Sequence, residues 1–218
     1  MSWGCGRRHF IAAALAGSYG LAHARGPSTV LVVGDSLSAE YGLKRGSGWV
    51  ALLERRVAAG KLPVKVVNAS ISGDTTSGGR SRLPALLAQY KPDVVVIELG
   101  GNDALRGLPV AMTRDNLAEM TAASQKAGAK VLLVGIQVPP NYGAEYTGQL
   151  AAAYRDVARA RKAALVPFML AGIADAPGAD RLFQADRIHP REEAHPRILD
   201  NIWPELRKLL PAPGATQP

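Results

Sequence analysis

Cysteine is almost absent from this chain, with one in 218 residues. Histidine numbers only four, and aromatic residues make up 6%. So small a supply of thiol and imidazole excludes a zinc finger, an iron–sulfur protein and a disulfide scaffold. Dense basic runs and aromatic ladders are also missing, although the net charge is +8. The cations are spread out, with pairs at Lys44-Arg45, Arg55-Arg56, Arg161-Lys162 and Arg207-Lys208. That is a solvated basic surface, and no nucleic acid is expected as a partner. No Gly-x-x-x-x-Gly-Lys-Ser/Thr loop and no dinucleotide fingerprint occur. The Gly-x-Ser-x-Gly elbow is absent too, since Gly34-Asp35-Ser36-Leu37-Ser38 departs at its last place.

What is present is a folding composition, 47% hydrophobic and 20% charged, of a length that suits one domain. Residues 1–24 stand apart from it. Arg7 and Arg8 form a basic start, Phe10 to Leu21 is mostly apolar or small, and Ala22-His23-Ala24 has the small-x-small form of a cleavage site. This is the layout of a secretory signal, too short to span a membrane. Arg7-Arg8-His9-Phe10-Ile11 resembles a twin-arginine export signal, with Gly6 where Ser or Thr is commoner. Either bacterial export route fits, and a periplasmic or secreted protein is expected. Cleavage would remove Cys5, His9 and His23, leaving 194 residues, 24 Lys and Arg, 18 Asp and Glu, and only His189 and His195. Residues 25–210 then form the domain, with 211–218 as a flexible tail rich in Pro and Gly.

Apolar, β-branched runs at Thr29–Val33, Val64–Asn68, Val94–Leu99, Lys130–Ile136 and Leu165–Phe168 alternate with helical stretches. The helical stretches run Trp49–Ala59, Gly79–Gln89, Arg114–Ala127, Glu145–Ala163 and Glu192–Leu210. Pro84 and Gly128 mark helix boundaries, and Pro196 and Pro204 are expected to shorten or kink the last helix. Strands without polar alternation are buried on both faces, so a three-layer α/β domain with a parallel sheet is expected. Ligands meet such a sheet at the carboxyl ends of its strands. There the chain reads Gly34-Asp35-Ser36-Leu37-Ser38, Ser70-Ile71-Ser72-Gly73-Asp74, Gly100-Gly101-Asn102-Asp103 and Gln137-Val138-Pro139. Asp186-Arg187-Ile188-His189-Pro190 precedes the last helix.

Ser36 is expected near the start of a helical segment, and a serine needs a base to become a nucleophile. His189 is the natural base, with Asp186 three residues earlier to fix its tautomer. The Ser36 N–H, the Gly73 N–H and the Asn102 amide are candidate donors to an oxyanion. Read singly, Ser36 and Asp186 are helix caps and the glycines are turn residues. His195 is a weaker second candidate base with Glu192 as its rival acid, and its plainer reading is a packed helix residue. Asp35 and Asp103 read as braces for their turns. Leu105, Leu108, Pro139, Tyr142 and Tyr146 either wall an acyl groove or pack loops onto the sheet.

Together these blocks resemble the GDSL, or SGNH, hydrolases. Gly34-Asp35-Ser36-Leu37-Ser38 is similar to the first block of that family, Gly100-Gly101-Asn102-Asp103 to the third and Asp186-Arg187-Ile188-His189-Pro190 to the fifth, while Gly73 falls at the second-block glycine. Val96 to Gly107 resembles the third block of its secreted bacterial thioesterase I, lysophospholipase L1 and arylesterase branch, and Pro139 to Gly143 matches that branch's late loop. Arg187 and Ala104 stand where glycine is common in that branch. The resemblance implies a flavodoxin-like fold of about five parallel strands and a serine esterase without cofactor or metal. It implies Ser36 as nucleophile, His189 as base, Asp186 as its orienter, and Ser36, Gly73 and Asn102 as the oxyanion hole. The implied substrate is a small acyl ester or thioester, or a lysophospholipid, handled by a monomer with no stable membrane insertion. A carbohydrate O-acetylesterase and a non-catalytic exported binding protein are the rival readings.

Overall fold

The computed structural model describes Met1, residues 26–138 and residues 140–212. The expected signal, Met1 aside, lies outside the described residues, as do Pro139 and the tail beyond residue 212. Five strands form: β1 (Ser28–Gly34), β2 (Val64–Asn68), β3 (Val94–Glu98), β4 (Lys130–Val134) and β5 (Ala164–Val166). All pair in parallel, in the order β2-β1-β3-β4-β5. Val30 to Val33 and Val95 to Ile97 have no exposed surface. Burial of each such side chain is worth about 1.5–3 kcal/mol relative to leaving it in water. This is why the runs lack polar alternation.

Among the described residues six helices surround the sheet: α1 (Trp49–Ala59), α2 (Thr76–Tyr90), α3 (Gly101–Leu105), α4 (Val110–Lys126), α5 (Ala144–Arg161) and α6 (His195–Leu209). α1 buries Trp49, Val50, Leu53 and Val57 and packs on α6, which buries Ile198, Leu199, Ile202 and Leu206. α2 packs on α4, and α4 on α5. Right-handed crossovers place α1 on one face and α2, α4 and α5 on the other, giving three layers.

Several local expectations change. Pro84 lies inside α2, not at its boundary. It sits on the exposed side of the helix, where the carbonyl it leaves unpaired can meet water. Ser36 begins a series of turns through Gly42 instead of a helix. Gly101–Leu105, which is not among the expected helical stretches, is a short helix. The last helical stretch is divided into a 3₁₀ turn at Glu192–Ala194 and α6, with Pro196 in the first turn, where its missing N–H costs nothing. Pro204 remains within α6, which runs on to Leu209.

The strand order reverses direction between β1 and β3. These two strands pair in register down to Gly34 opposite Glu98. A crevice opens at such a switch point, beyond the strand ends. The turn carrying Ser36 and the helix carrying Asn102 therefore start side by side.

Candidate active site

β1 ends at Gly34, and the chain turns at Asp35. The Asp35 carbonyl accepts from the N–H groups of Ser38 and Ala39, and its Oδ1 accepts from the Leu37 N–H at 3.0 Å. This winds the backbone tightly and lifts Ser36 over the strand end. On the far side of the crevice, Asp186 organises its own loop. Its Oδ1 accepts from the N–H groups of Ile188 at 2.9 Å and His189 at 3.0 Å. Its Oδ2 lies 2.7 Å from His189 Nδ1. His189 Nε2 then lies 2.8 Å from Ser36 Oγ. The three side chains form one hydrogen-bonded line across 153 residues of sequence. Partial burial opposes the Asp186 charge. The His189 N–H, the His189 ring and the Ile188 N–H outweigh it and hold the carboxyl at about 2. Arg187, between them, has φ of 57°, the left-handed region in which glycine is favoured.

Gly73 also has a left-handed φ, 80°, where an L side chain would be strained. Its loop is tied down from several directions. The Ile71 N–H donates to the Gly34 carbonyl at 3.0 Å, Arg82 Nε to Asp74 Oδ2 at 2.8 Å, and Arg106 Nη2 to the Gly73 carbonyl at 2.8 Å. The N–H groups of Ser36 and Gly73 find no acceptor among the described residues. Asn102 donates one amide hydrogen to Asp35 Oδ2 at 3.0 Å, leaving the second available. Asp103 faces the other way. Buried, it accepts from the Thr76 N–H at 2.8 Å and from the hydroxyls of Thr76 and Thr113. It thereby pins α3 to α2 and α4.

Two buried carboxyl groups lie beneath the site. Burial raises Asp35 to about 6, against the hydrogen bonds from Leu37 and Asn102. Burial, then the neighbouring Asp35, pushes Glu98 well above the ordinary range. Ser38 Oγ donates to Glu98 Oε2 at 2.7 Å and accepts from Trp49 Nε1 at 3.1 Å. Sequence reasoning passed over Glu98. The available signal was a lone acid in an otherwise apolar strand. Tyr41 was also missed: its ring lies 4.4 Å from that of His189.

His195 does not join the site. It is 2% exposed, and its Nδ1 accepts from the Trp49 N–H at 3.0 Å. Burial lowers its pKa. This is the packed-helix reading. Leu105 is exposed at the end of α3, and Leu108 and Tyr142 are half-buried. Tyr146 donates to the Leu108 carbonyl at 3.1 Å and lies 6.4 Å, ring to ring, from Tyr142. A cleft of about 350 Å³ opens beside the His189 loop, lined by Gly42, Leu43, Lys44, Gln184, Ala185 and Arg191 among others, without Ser36 or Asn102. Among the described residues no group of three or more His, Cys, Asp or Glu converges to hold a metal ion. None of the described helices is long and apolar enough to cross a membrane.

Residues 32–197 match the GDSL-like lipase/acylhydrolase family. The chain belongs to that family. This acylhydrolase is 55% identical to esterase TesA of Pseudomonas aeruginosa, over 84% of its own length and 89% of the relative. It is 40% identical to the Escherichia coli thioesterase 1/protease 1/lysophospholipase L1, over 84% of its length and 85% of the relative. Among solved structures, the psychrotrophic esterase EstA of Pseudoalteromonas, inhibited by monoethylphosphonate, matches with a TM-score of 0.78 and 41% identity, over 83% of this acylhydrolase and 97% of EstA. The acylhydrolase is thus a carboxylic ester hydrolase of the esterase, thioesterase and lysophospholipase branch. Its kinship is consistent with a periplasmic or secreted enzyme.

Proposed function

We propose that this acylhydrolase cleaves acyl esters and thioesters through an acyl-enzyme on Ser36. The observation that carries the reading is the line Asp186–His189–Ser36, with steps of 2.7 and 2.8 Å. Those are the distances at which a general base takes a hydroxyl proton. Asp186 holds His189 in the tautomer with Nδ1 protonated, leaving Nε2 to accept from Ser36. Ser36 Oγ attacks the carbonyl carbon as its proton passes to His189. The free N–H groups of Ser36 and Gly73 and the second amide hydrogen of Asn102 take the developing oxyanion. His189 then gives its proton to the departing alcohol or thiol. A water, deprotonated by His189, attacks the acyl carbon and releases the acid, restoring Ser36.

The relatives' names support esters, thioesters and lysophospholipids as the substrate range. We infer that Leu105, Leu108 and Tyr142 lie on the acyl side of the crevice. Residues 1–24 are read as a signal removed on export, so that the mature chain begins at Arg25. Amino-terminal sequencing of the exported protein checks this.

Replacing Ser36 by Ala should abolish turnover of an aryl acetate with the circular dichroism spectrum unchanged. Undiminished turnover would overturn the reading. A serine-directed phosphonate should add its mass to the peptide containing Ser36. A panel of aryl acetates, acyl thioesters of rising length, lysophosphatidylcholine and acetyl-xylan fixes the preferred class, and a preference for acetyl-xylan would favour the carbohydrate O-acetylesterase.

A further inference from the structure

Glu98 is the last residue of β3, wholly buried and remote in sequence from every residue of the proposed catalytic line. Its Oε2 accepts from Ser38 Oγ at 2.7 Å and lies 3.4 Å from the Asp35 N–H. The charge of Asp35 stands near enough to add to the upward push that burial gives the Glu98 carboxyl. Asp35 Oδ2 in turn holds Asn102 Nδ2 at 3.0 Å. A buried carboxyl thus stands two contacts from an oxyanion donor, and mechanism gives it no step.

The chain is built to admit it. A Cβ on Gly34 would lie 2.8 Å from Glu98 Oε2 and 2.8 Å from Ser38 Oγ. Glycine at the head of the Gly34-Asp35-Ser36 turn lets these two groups lie against the backbone. Two adjacent carboxylates cannot both ionise at low cost in a buried site. The groups facing the pair offer little cationic relief. They are the Ser38 hydroxyl, Trp49 Nε1 on α1, Asn102 on α3, the Tyr154 hydroxyl on α5, Asp74 after β2 and His189. Arg82 is committed to Asp74, Ala69 and, at 3.4 Å, the Gly34 carbonyl.

We propose that Glu98 is a positioning residue that shares one proton with Asp35 and so keeps the Asp35 carboxyl fixed on Asn102, with the second Asn102 amide hydrogen aimed at the oxyanion. With one proton between them, the pair carries a single negative charge. Loss of that proton drives the two carboxylates apart and loosens Asn102. The inference rests on the acyl-enzyme reading above.

Glu98→Gln is the decisive variant, because a glutamine amide can donate to Asp35 as the protonated acid does and cannot ionise. At neutral pH its kcat on an aryl acetate should stay within about threefold of the parent, since geometry and charge are kept. On the alkaline side the parent's kcat should fall, and that fall should be absent or moved to higher pH in Glu98→Gln, with KM little changed. Superimposable alkaline limbs would overturn the proposal. Glu98→Leu supplies a second readout through a double-mutant cycle with Asn102→Ala. If Glu98 acts through Asn102, the double variant should lose about 100-fold, no more than Asn102→Ala alone. Losses that multiply would count against the proposal. Should Glu98→Leu fail to fold, the Glu98→Gln profile decides alone. An active Ser36→Ala variant would overturn the acyl-enzyme reading itself. An inactive Ser36→Ala with an unmoved Glu98→Gln profile would overturn only the role of Glu98.

Discussion

The ring of Tyr41 lies 4.4 Å from the ring of His189, inclined at 38°. Gln184 Nε2 donates to the Tyr41 carbonyl at 2.9 Å, which fastens the Tyr41 backbone to the segment leading into the His189 loop. The tyrosine is half exposed, so its ring covers the imidazole without burying it. Tyr41→Ala should let the imidazole sample more positions and lower kcat on an aryl acetate by about tenfold, an intermediate loss of positioning. Tyr41→Phe keeps the ring and should retain most of the activity. Steady-state kinetics of the two variants checks this.

The proposed oxyanion donors should answer as a group. Asn102→Ala should lower kcat by about 100-fold or more with KM changed little, the cost typical of one oxyanion donor. Arg106→Ala removes the bond that holds the Gly73 carbonyl at 2.8 Å. Its loss should be smaller, about tenfold, and should also appear in kcat, because the Gly73 N–H remains but is less well aimed. A change confined to KM would show that Arg106 contacts the substrate instead.

The two histidines among the described residues, His189 and His195, should separate cleanly. His189→Ala should abolish turnover and leave thermal stability nearly unchanged. His195→Ala should keep turnover and lose about 1–3 kcal/mol of stability, since the buried Trp49 N–H loses its acceptor. Stability also has a predictable pH slope. Burial lowers the His195 pKa in the fold, so the unfolded chain binds the extra proton first. The His195 contribution to stability is therefore complete above the unfolded value of about 6.5 and is lost progressively as pH falls from there through the lowered folded value. Denaturant titrations between about pH 5 and 8 should show this slope in the parent and not in His195→Ala.

Asp186 should behave oppositely to the buried pair. Its carboxyl is held at about 2, below the unfolded value of about 3.9. Its stabilising contribution is complete above the unfolded value and is lost as pH falls through the folded one. Activity that disappears on acidification above about pH 4 therefore does not come from Asp186. Asp186→Asn should lower kcat by about 10³-fold or more, by releasing the tautomer of His189, with the fold intact by circular dichroism.

Gly100→Ala tests the turn into α3. The residue has φ of 125°, and an added Cβ would lie 2.2 Å from the Tyr154 hydroxyl, which donates to the Leu99 carbonyl. The substitution should cost about 1–3 kcal/mol, as overpacking of a tight interior does, and should reduce kcat by displacing Asn102. Chemical denaturation and kinetics on the same preparation measure both.

Much of the molecule was legible because burial leaves a compositional mark. Val30–Val33 and Val94–Ile97 are apolar at every position, which only a strand covered on both faces requires, so the parallel sheet could be read directly. Ser36, Gly73, Asn102, Asp186 and His189 were legible because each follows a strand or precedes the last helix with a short polar block. Pro84 misled because proline is read as a helix boundary, whereas on an exposed helix face its missing hydrogen bond is tolerated. The 101–105 helix went unread because a helix this short is set by tertiary contacts, here those of Asp103 with Thr76 and Thr113.

The sequence by itself determined the strand–helix alternation, the family and the residue types at the ends of the strands, since these follow from local patterning and from chemistry that only a few side chains can perform. Only the tertiary structure decided which histidine faces Ser36, because that pairing spans 153 residues and depends on where the chain closes over the sheet. The fold likewise set Glu98 against Asp35 beneath Asn102. A lone acid in a strand does not reveal its partner, and the proximity arises only when β1 and β3 pair in register with Gly34 opposite Glu98.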